Sequence, residues 1–225
     1  MPDVPLLWTL DPLLVGLPLW VLCCQRSRGS MEEQQPQIEL YINAGTDEMN
    51  STISQAISSV KLDFVVKHTL AEAGITQPVM LTLLITDDDT IRDLNKQYRQ
   101  QNKPTDVLSF PLLDKPLVNA PADQLWMPRD EGNGEGEGQR AATEEKVPAF
   151  VTPPELITNL GDVVISWPTV LRQAKAAGHN PTYELVYLLS HGLLHLVGYD
   201  DQNEAGYEAM VRIQQSVLQV MGWKA

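Results

Sequence analysis

A chain of 225 residues, 43% of them hydrophobic, suits one domain with extensions and can bury a core without metal or disulfide staples. Its two cysteines, Cys23 and Cys24, are adjacent, which excludes a disulfide framework or a spaced metal clip and fits a reducing compartment. The formal net charge of −13 argues against a protein that coats nucleic acid through its overall charge, so any such contact has to be local.

Residues 1–30 read as an N-terminal extension. Leu6 to Cys24 approaches the length of a membrane span, but Asp11 interrupts it and Pro12 and Pro18 break a helix. A secretory signal calls for a basic start, whereas this one carries Asp3 and no Lys or Arg. Three readings stay open: a poor anchor with Arg26 and Arg28 on the cytoplasmic side, a disordered extension, or a true start at Met31.

From residue 31 the chain reads as one domain. Ile38 to Ile42 alternates apolar and polar residues, as a half-buried strand does. A helix is expected from about Ile53 to Glu72, stopped at Gly74, followed by a buried strand from Val79 to Thr86. The run Asp87-Asp88-Asp89 opens the next helix, where capping and dipole complementation account for it better than metal binding. Lys103 to Pro111 reads as a short strand entered through a proline turn. Residues 114–158 are rich in Pro, Gly and Glu, with E-G-N-G-E-G-E-G at 131–138, and are expected to be a disordered acidic insertion. A strand from Asp162 to Ser166 and helices over Pro168 to Ala177, Pro181 to Val197 and Glu204 to Met221 complete the chain. Strands separated by helices, with a helical C-terminal half, predict an α+β domain with a small mixed sheet of α/β type.

The chemistry concentrates in H-G-L-L-H-L-V-G-Y-D-D, His191 to Asp201. At i and i+4 on a helix, His191 and His195 lie one above the other and can share one ion. Zn²⁺ needs three protein ligands and an open position for water, and Gly198 turns the chain so that Asp200 or Asp201 comes near the pair. A metallopeptidase would carry a general-base Glu directly after the first histidine. Gly192 stands there, so peptide hydrolysis lacks its proton acceptor.

The same segment closely resembles the signature H-G-x-L-H-L-x-G-Y-D-H of the YbeY family of metal-dependent endoribonucleases. Leu94 to Pro111, L-N-K-Q-Y-R-Q-Q-N-K-P-T-D-V-L-S-F-P, is similar to that family's central motif, and Leu160 to Ser166 to the strand before its metal helix. The resemblance spans roughly Ile38 to Trp223, apart from the insertion. It implies a zincin-like domain with one zinc ion at the mouth of a cleft and cleavage of single-stranded RNA. It also implies work in rRNA 3'-end maturation and ribosome quality control, with rRNA precursors and a ribosomal particle or ribosomal proteins as partners. Carried over, His191 and His195 are metal ligands, Asp201 stands where the family has its third histidine, and Arg99 matches a functionally important arginine. His191 and Arg99 are thus the expected catalytic residues.

Asp201 departs from the pattern. Carboxylate oxygen is an acceptable zinc ligand, but a harder, anionic donor makes bound water less acidic and draws preference toward Mn²⁺, Fe²⁺ or Co²⁺. Asp200 fits a turn residue bonding backbone amides. The acidic total is answered locally by Arg92, Lys96, Arg99 and Lys103, grouped in one short segment. A cytoplasmic protein with no stable membrane association is expected. The alternative is a catalytically weakened ribosome-assembly factor that keeps the fold.

Overall fold

Val79–Thr86 carries eight residues that are aliphatic or Thr, and it forms the centre of a four-stranded mixed sheet. The structure, a computed structural model, describes residues 35–128 and 157–223. Among these the order is β1 (Gln37–Asn43), α1 (Asp47–Ser58), α2 (Leu62–Glu72), β2 (Val79–Thr86), α3 (Asp88–Arg99), β3 (Val107–Pro111), β4 (Thr158–Ser166), α4 (Trp167–Ala177), α5 (Pro181–Val197) and α6 (Glu204–Val220). The strands lie in the order β1-β2-β4-β3, with β1, β2 and β4 parallel and β3 antiparallel at the edge. This is the small mixed sheet with surrounding helices that the alternation of elements predicts.

The two faces of the sheet are covered unequally. Leu81, Leu83 and Ile85 of β2 and Val163 and Ile165 of β4 join the main core with α1, α2, α5 and α6. Leu84, Val164, Leu108 and Phe110 face the other way, onto Ile91 and Leu94 of α3. At the centre lies α5, packed on β3, β4, α2, α4 and α6. Its Leu185, Leu188, Leu189, Leu193, Leu196 and Val197 are buried, each contributing about 1.5–3 kcal/mol of transfer free energy. That fixes the helix that bears both histidines.

Asp87 caps α3, its Oδ1 accepting from the Thr90 amide at 2.7 Å, so this run of acids begins as a helix cap. Asp88 then ties α3 to the β4–α4 junction. It accepts from Arg172 Nη1 at 2.6 Å, Ser166 Oγ at 2.5 Å and Thr169 Oγ1 at 2.9 Å.

Three expectations need correction. The single helix over Ile53 to Glu72 is two helices that break at residues 59–61. The apolar period runs across the break through Val60, which is buried, and no Gly or Pro marks it. The strand expected from Lys103 pairs only from Val107, because Pro104 lacks an amide proton for a ladder and the Asp106 side chain bonds the Val107 amide. Residues 114–128, placed in the disordered insertion by composition, are packed onto the domain: Val118 is buried and Leu125 bridges Tyr199. The rest of that insertion, and the apolar Leu6 to Cys24 stretch, lie outside the described residues. Among the described residues no helix is long and apolar enough to cross a membrane.

Candidate metal centre

His191 and His195 are presented by α5, and the turn after it delivers Asp201. Asn180 caps the start of α5 through the Thr182 amide and Pro181 stands in its first turn, so the register of the histidines is set from the N-terminus. Gly198 ends the helix at φ +131°, a conformation L side chains rarely adopt, and an added Cβ would meet Pro116 Cβ at 2.6 Å. The misassigned segment clasps this turn. The Leu117 amide donates to Val197 O at 2.8 Å, the Trp126 amide to Gly198 O at 3.0 Å, and the Asp200 amide to Gln124 O at 3.0 Å. Trp126 Nε1 also donates to His195 O at 3.0 Å.

The three side chains converge. His191 Nε2 lies 3.1 Å from His195 Nε2, and Asp201 places Oδ2 3.6 Å from the first and Oδ1 3.8 Å from the second. A tetrahedral ion about 2.1 Å from each donor requires donors about 3.4 Å apart, so the set has the dimensions of a Zn²⁺-sized site. Among the described residues this is the group of His, Cys, Asp and Glu able to hold a metal. The side chains of His191 and His195 are 21% and 25% exposed and that of Asp201 38%, which leaves one side open to water or substrate.

The protonation states suit ligation. Burial, and then the neighbouring His195, push the His191 pKa down against the opposing pull of Asp201 and Asp106, so His191 is neutral at pH 7. His195 Nδ1 lies 3.0 Å from Tyr199 O, and donation to that carbonyl leaves Nε2 as the free lone pair. Two Nε2 atoms 3.1 Å apart call for a proton or a cation between them.

Gly192 faces the sheet rather than the three donors. An added Cβ would meet Val163 Cγ1 at 2.8 Å and Ser109 Oγ at 3.1 Å, so the position packs against the sheet. Ser109 Oγ in β3 donates to Gly192 O at 3.1 Å. The place of a peptidase glutamate is therefore an interface between helix and sheet.

The structure joins His191, His195 and Asp201 but leaves Arg99 apart. Arg99 is exposed at the C-terminal end of α3 and makes no hydrogen bond or ion pair with the three. The loop after it leads to Asp106, whose charge is felt at His191. Arg92, expected to share the positive segment, is tied to Asp89 at 2.7 Å and Asp93 at 3.3 Å, so Lys96, Arg99 and Lys103 are the cations left to meet a ligand. Asp200 acts as a turn residue, its Oδ1 accepting from the Gln202 amide at 3.2 Å. Sequence reasoning missed Trp126 and Gln214, which bond backbone carbonyls of α5 from outside the motifs. Neither has a spacing relation to the histidines that would reveal it.

The family profile described as endoribonuclease YbeY matches residues 43–222 of this chain. An endoribonuclease YbeY of Dehalococcoides mccartyi is 36% identical over 161 residues, covering 72% of this chain and 85% of that protein. One from Synechococcus sp. is 36% identical over 149 residues, 66% of this chain and 73% of its own length. A third, from Roseiflexus sp., is 35% identical over 167 residues, 74% of this chain and 85% of its length.

Proposed function

This chain belongs to the endoribonuclease YbeY family, and on that premise we propose that it cleaves single-stranded RNA at the His191–His195–Asp201 centre. The observation that carries this reading is the convergence of two imidazole nitrogens and a carboxylate within 4.8 Å of one another, with all three side chains partly open to solvent. Bound there, Zn²⁺ would supply Lewis-acid charge to a phosphate oxygen and lower the pKa of a coordinated water. Asp201, an anionic oxygen donor, widens the range of acceptable ions to Mn²⁺, Fe²⁺ and Co²⁺.

The chain's own residues have three tasks. His191 and His195 hold neutral nitrogens toward the ion, Asp201 closes the set and contributes negative charge, and the clasp of residues 117–126 keeps the turn in place. Arg99, unpaired among the described residues, meets phosphate oxygens and offsets the charge that develops on phosphorus. Its planar fork can grip two phosphate oxygens at once, which suits it to that role better than Lys96 or Lys103. The substrate is an rRNA precursor met on a ribosomal particle in the cytoplasm, and the task is 3'-end maturation and ribosome quality control. Docking on a particle supplies affinity that a chain of net charge −13 lacks by itself.

One observation favours a second reading. Asp201 is the most exposed of the three and offers oxygen where the family signature has nitrogen, as it would in an assembly factor with a weakened centre. Cleavage of a single-stranded RNA by the purified protein, lost in His191→Ala together with bound metal, supports the nuclease. Absence of cleavage with metal still bound supports the assembly factor.

A further inference from the structure

The buried face of α6 is apolar at Met210, Ile213, Val217 and Leu218, with one interruption, Gln214, which is 1% exposed. Burying an amide whose hydrogen bonds are incomplete is destabilising, so a leucine here would serve packing better. The side chain's location accounts for its polarity. Gln214 Nε2 donates to Tyr187 O at 3.3 Å, at the turn of α5 that carries His191 four residues on. Its Oε1 is buried and has no partner at full hydrogen-bonding geometry. His191 stands one turn beyond Tyr187 on α5, and because Cα–Cβ bonds tilt toward the helix N-terminus its ring leans back over that turn.

The two histidines differ in what steadies them. His195 has a carbonyl, Tyr199 O, on its Nδ1. His191 directs Nε2 into the centre toward His195 and Asp201, which leaves its Nδ1 for the interior. A metal-binding imidazole normally donates its second N–H to a carbonyl or carboxylate, which fixes tautomer and ring orientation. We propose that Gln214 is a positioning residue: its side-chain carbonyl accepts the Nδ1–H of His191 and so holds the Nε2 lone pair toward the ion. The inference rests on the reading of His191, His195 and Asp201 as a metal centre.

The test uses the full chain, Gln214→Leu, which removes the acceptor, and Gln214→Glu, which restores one. Gln214→Met is run beside the leucine variant in case branching disturbs folding. Zn²⁺ affinity is measured by competition with a chelator, and the tautomer of His191 by ¹⁵N chemical shifts in metal-free protein. The apolar variants should bind Zn²⁺ about 10–100-fold more weakly at unchanged or higher thermal stability, with the glutamate variant recovering affinity. His191 should leave the Nδ1–H tautomer in Gln214→Leu. Zn²⁺ binding as tight as in the parent, or an unchanged tautomer, overturns the proposal. A parent chain that binds no Zn²⁺ overturns the metal-centre reading instead, and the tautomer shift still decides the contact with Gln214.

Discussion

Asp201 carries the site's individuality. At the third-ligand position of the proposed centre, 3.6 Å and 3.8 Å from the two imidazole nitrogens, it offers an oxygen where the family signature has nitrogen. Asp201→His is expected to retain or tighten Zn²⁺ binding, by up to about tenfold, measured by chelator competition; loss of metal would show that Asp201 is not a ligand. Arg99 makes a contrasting prediction. Arg99→Ala should lower the rate of RNA cleavage about 10²-fold while bound metal, read by elemental analysis, stays at the parent level. An equal loss of metal would instead make Arg99 part of the centre's structure. The convergence of the three side chains was legible because i, i+4 spacing and a glycine stop are local signals. The contact of Gln214 with α5 was not, since it arises only when α6 packs on that helix, and no local pattern in the sequence encodes that encounter.

At the scale of elements, packing and caps decide what composition leaves open. Asp88 fastens α3 to α4 through Arg172, Ser166 and Thr169, and the Arg172 guanidinium above all holds its pKa below the ordinary carboxylate value, against a smaller upward push from burial. A carboxylate depressed in the folded state stabilises above its unfolded pKa and loses that contribution as pH falls through the folded one. Asp88→Asn should therefore cost about 1–2 kcal/mol at pH 7 in urea denaturation, with the difference from the parent vanishing below the folded pKa, at strongly acid pH. A cost independent of pH would remove the ion pair from the account. Gly192 gives a second prediction. Gly192→Ala should destabilise by about 1–3 kcal/mol in thermal denaturation, because the new methyl meets Val163 and Ser109. Full stability would mean that α5 can move off the sheet. Strand β2 and helix α5 were legible to the residue because β-branched runs, an Asn-Pro cap and a Gly stop bound them. The break between α1 and α2 was not, since apolar spacing continues through it. Residues 114–128 read as spacer because hydrogen bonds to the α5 turn, rather than apolar periodicity, hold them.

Taken whole, the molecule is acidic with a small basic set, and that balance predicts weak, salt-sensitive RNA binding. With Arg92 occupied by Asp89 and Asp93, Lys96, Arg99 and Lys103 remain. If all three meet phosphates, log affinity for a single strand should fall with log salt at a slope of about −2, from −0.7 per contact. A slope near zero in a salt titration would take phosphate contacts out of the interface. The mixed sheet could be foreseen from the alternation of strands and helices; the unequal cover of its two faces could not, because it depends on which helix crosses to which side. What the whole fold accomplishes is to bring α5 and its turn together so that three donors converge. The most direct test measures bound metal and single-strand RNA cleavage side by side in the parent and in His191→Ala. One ion per parent chain is expected, with cleavage that depends on it, both lost in the variant. A parent without stoichiometric metal, or cleavage and metal content unchanged in His191→Ala, would contradict the metal-centre reading.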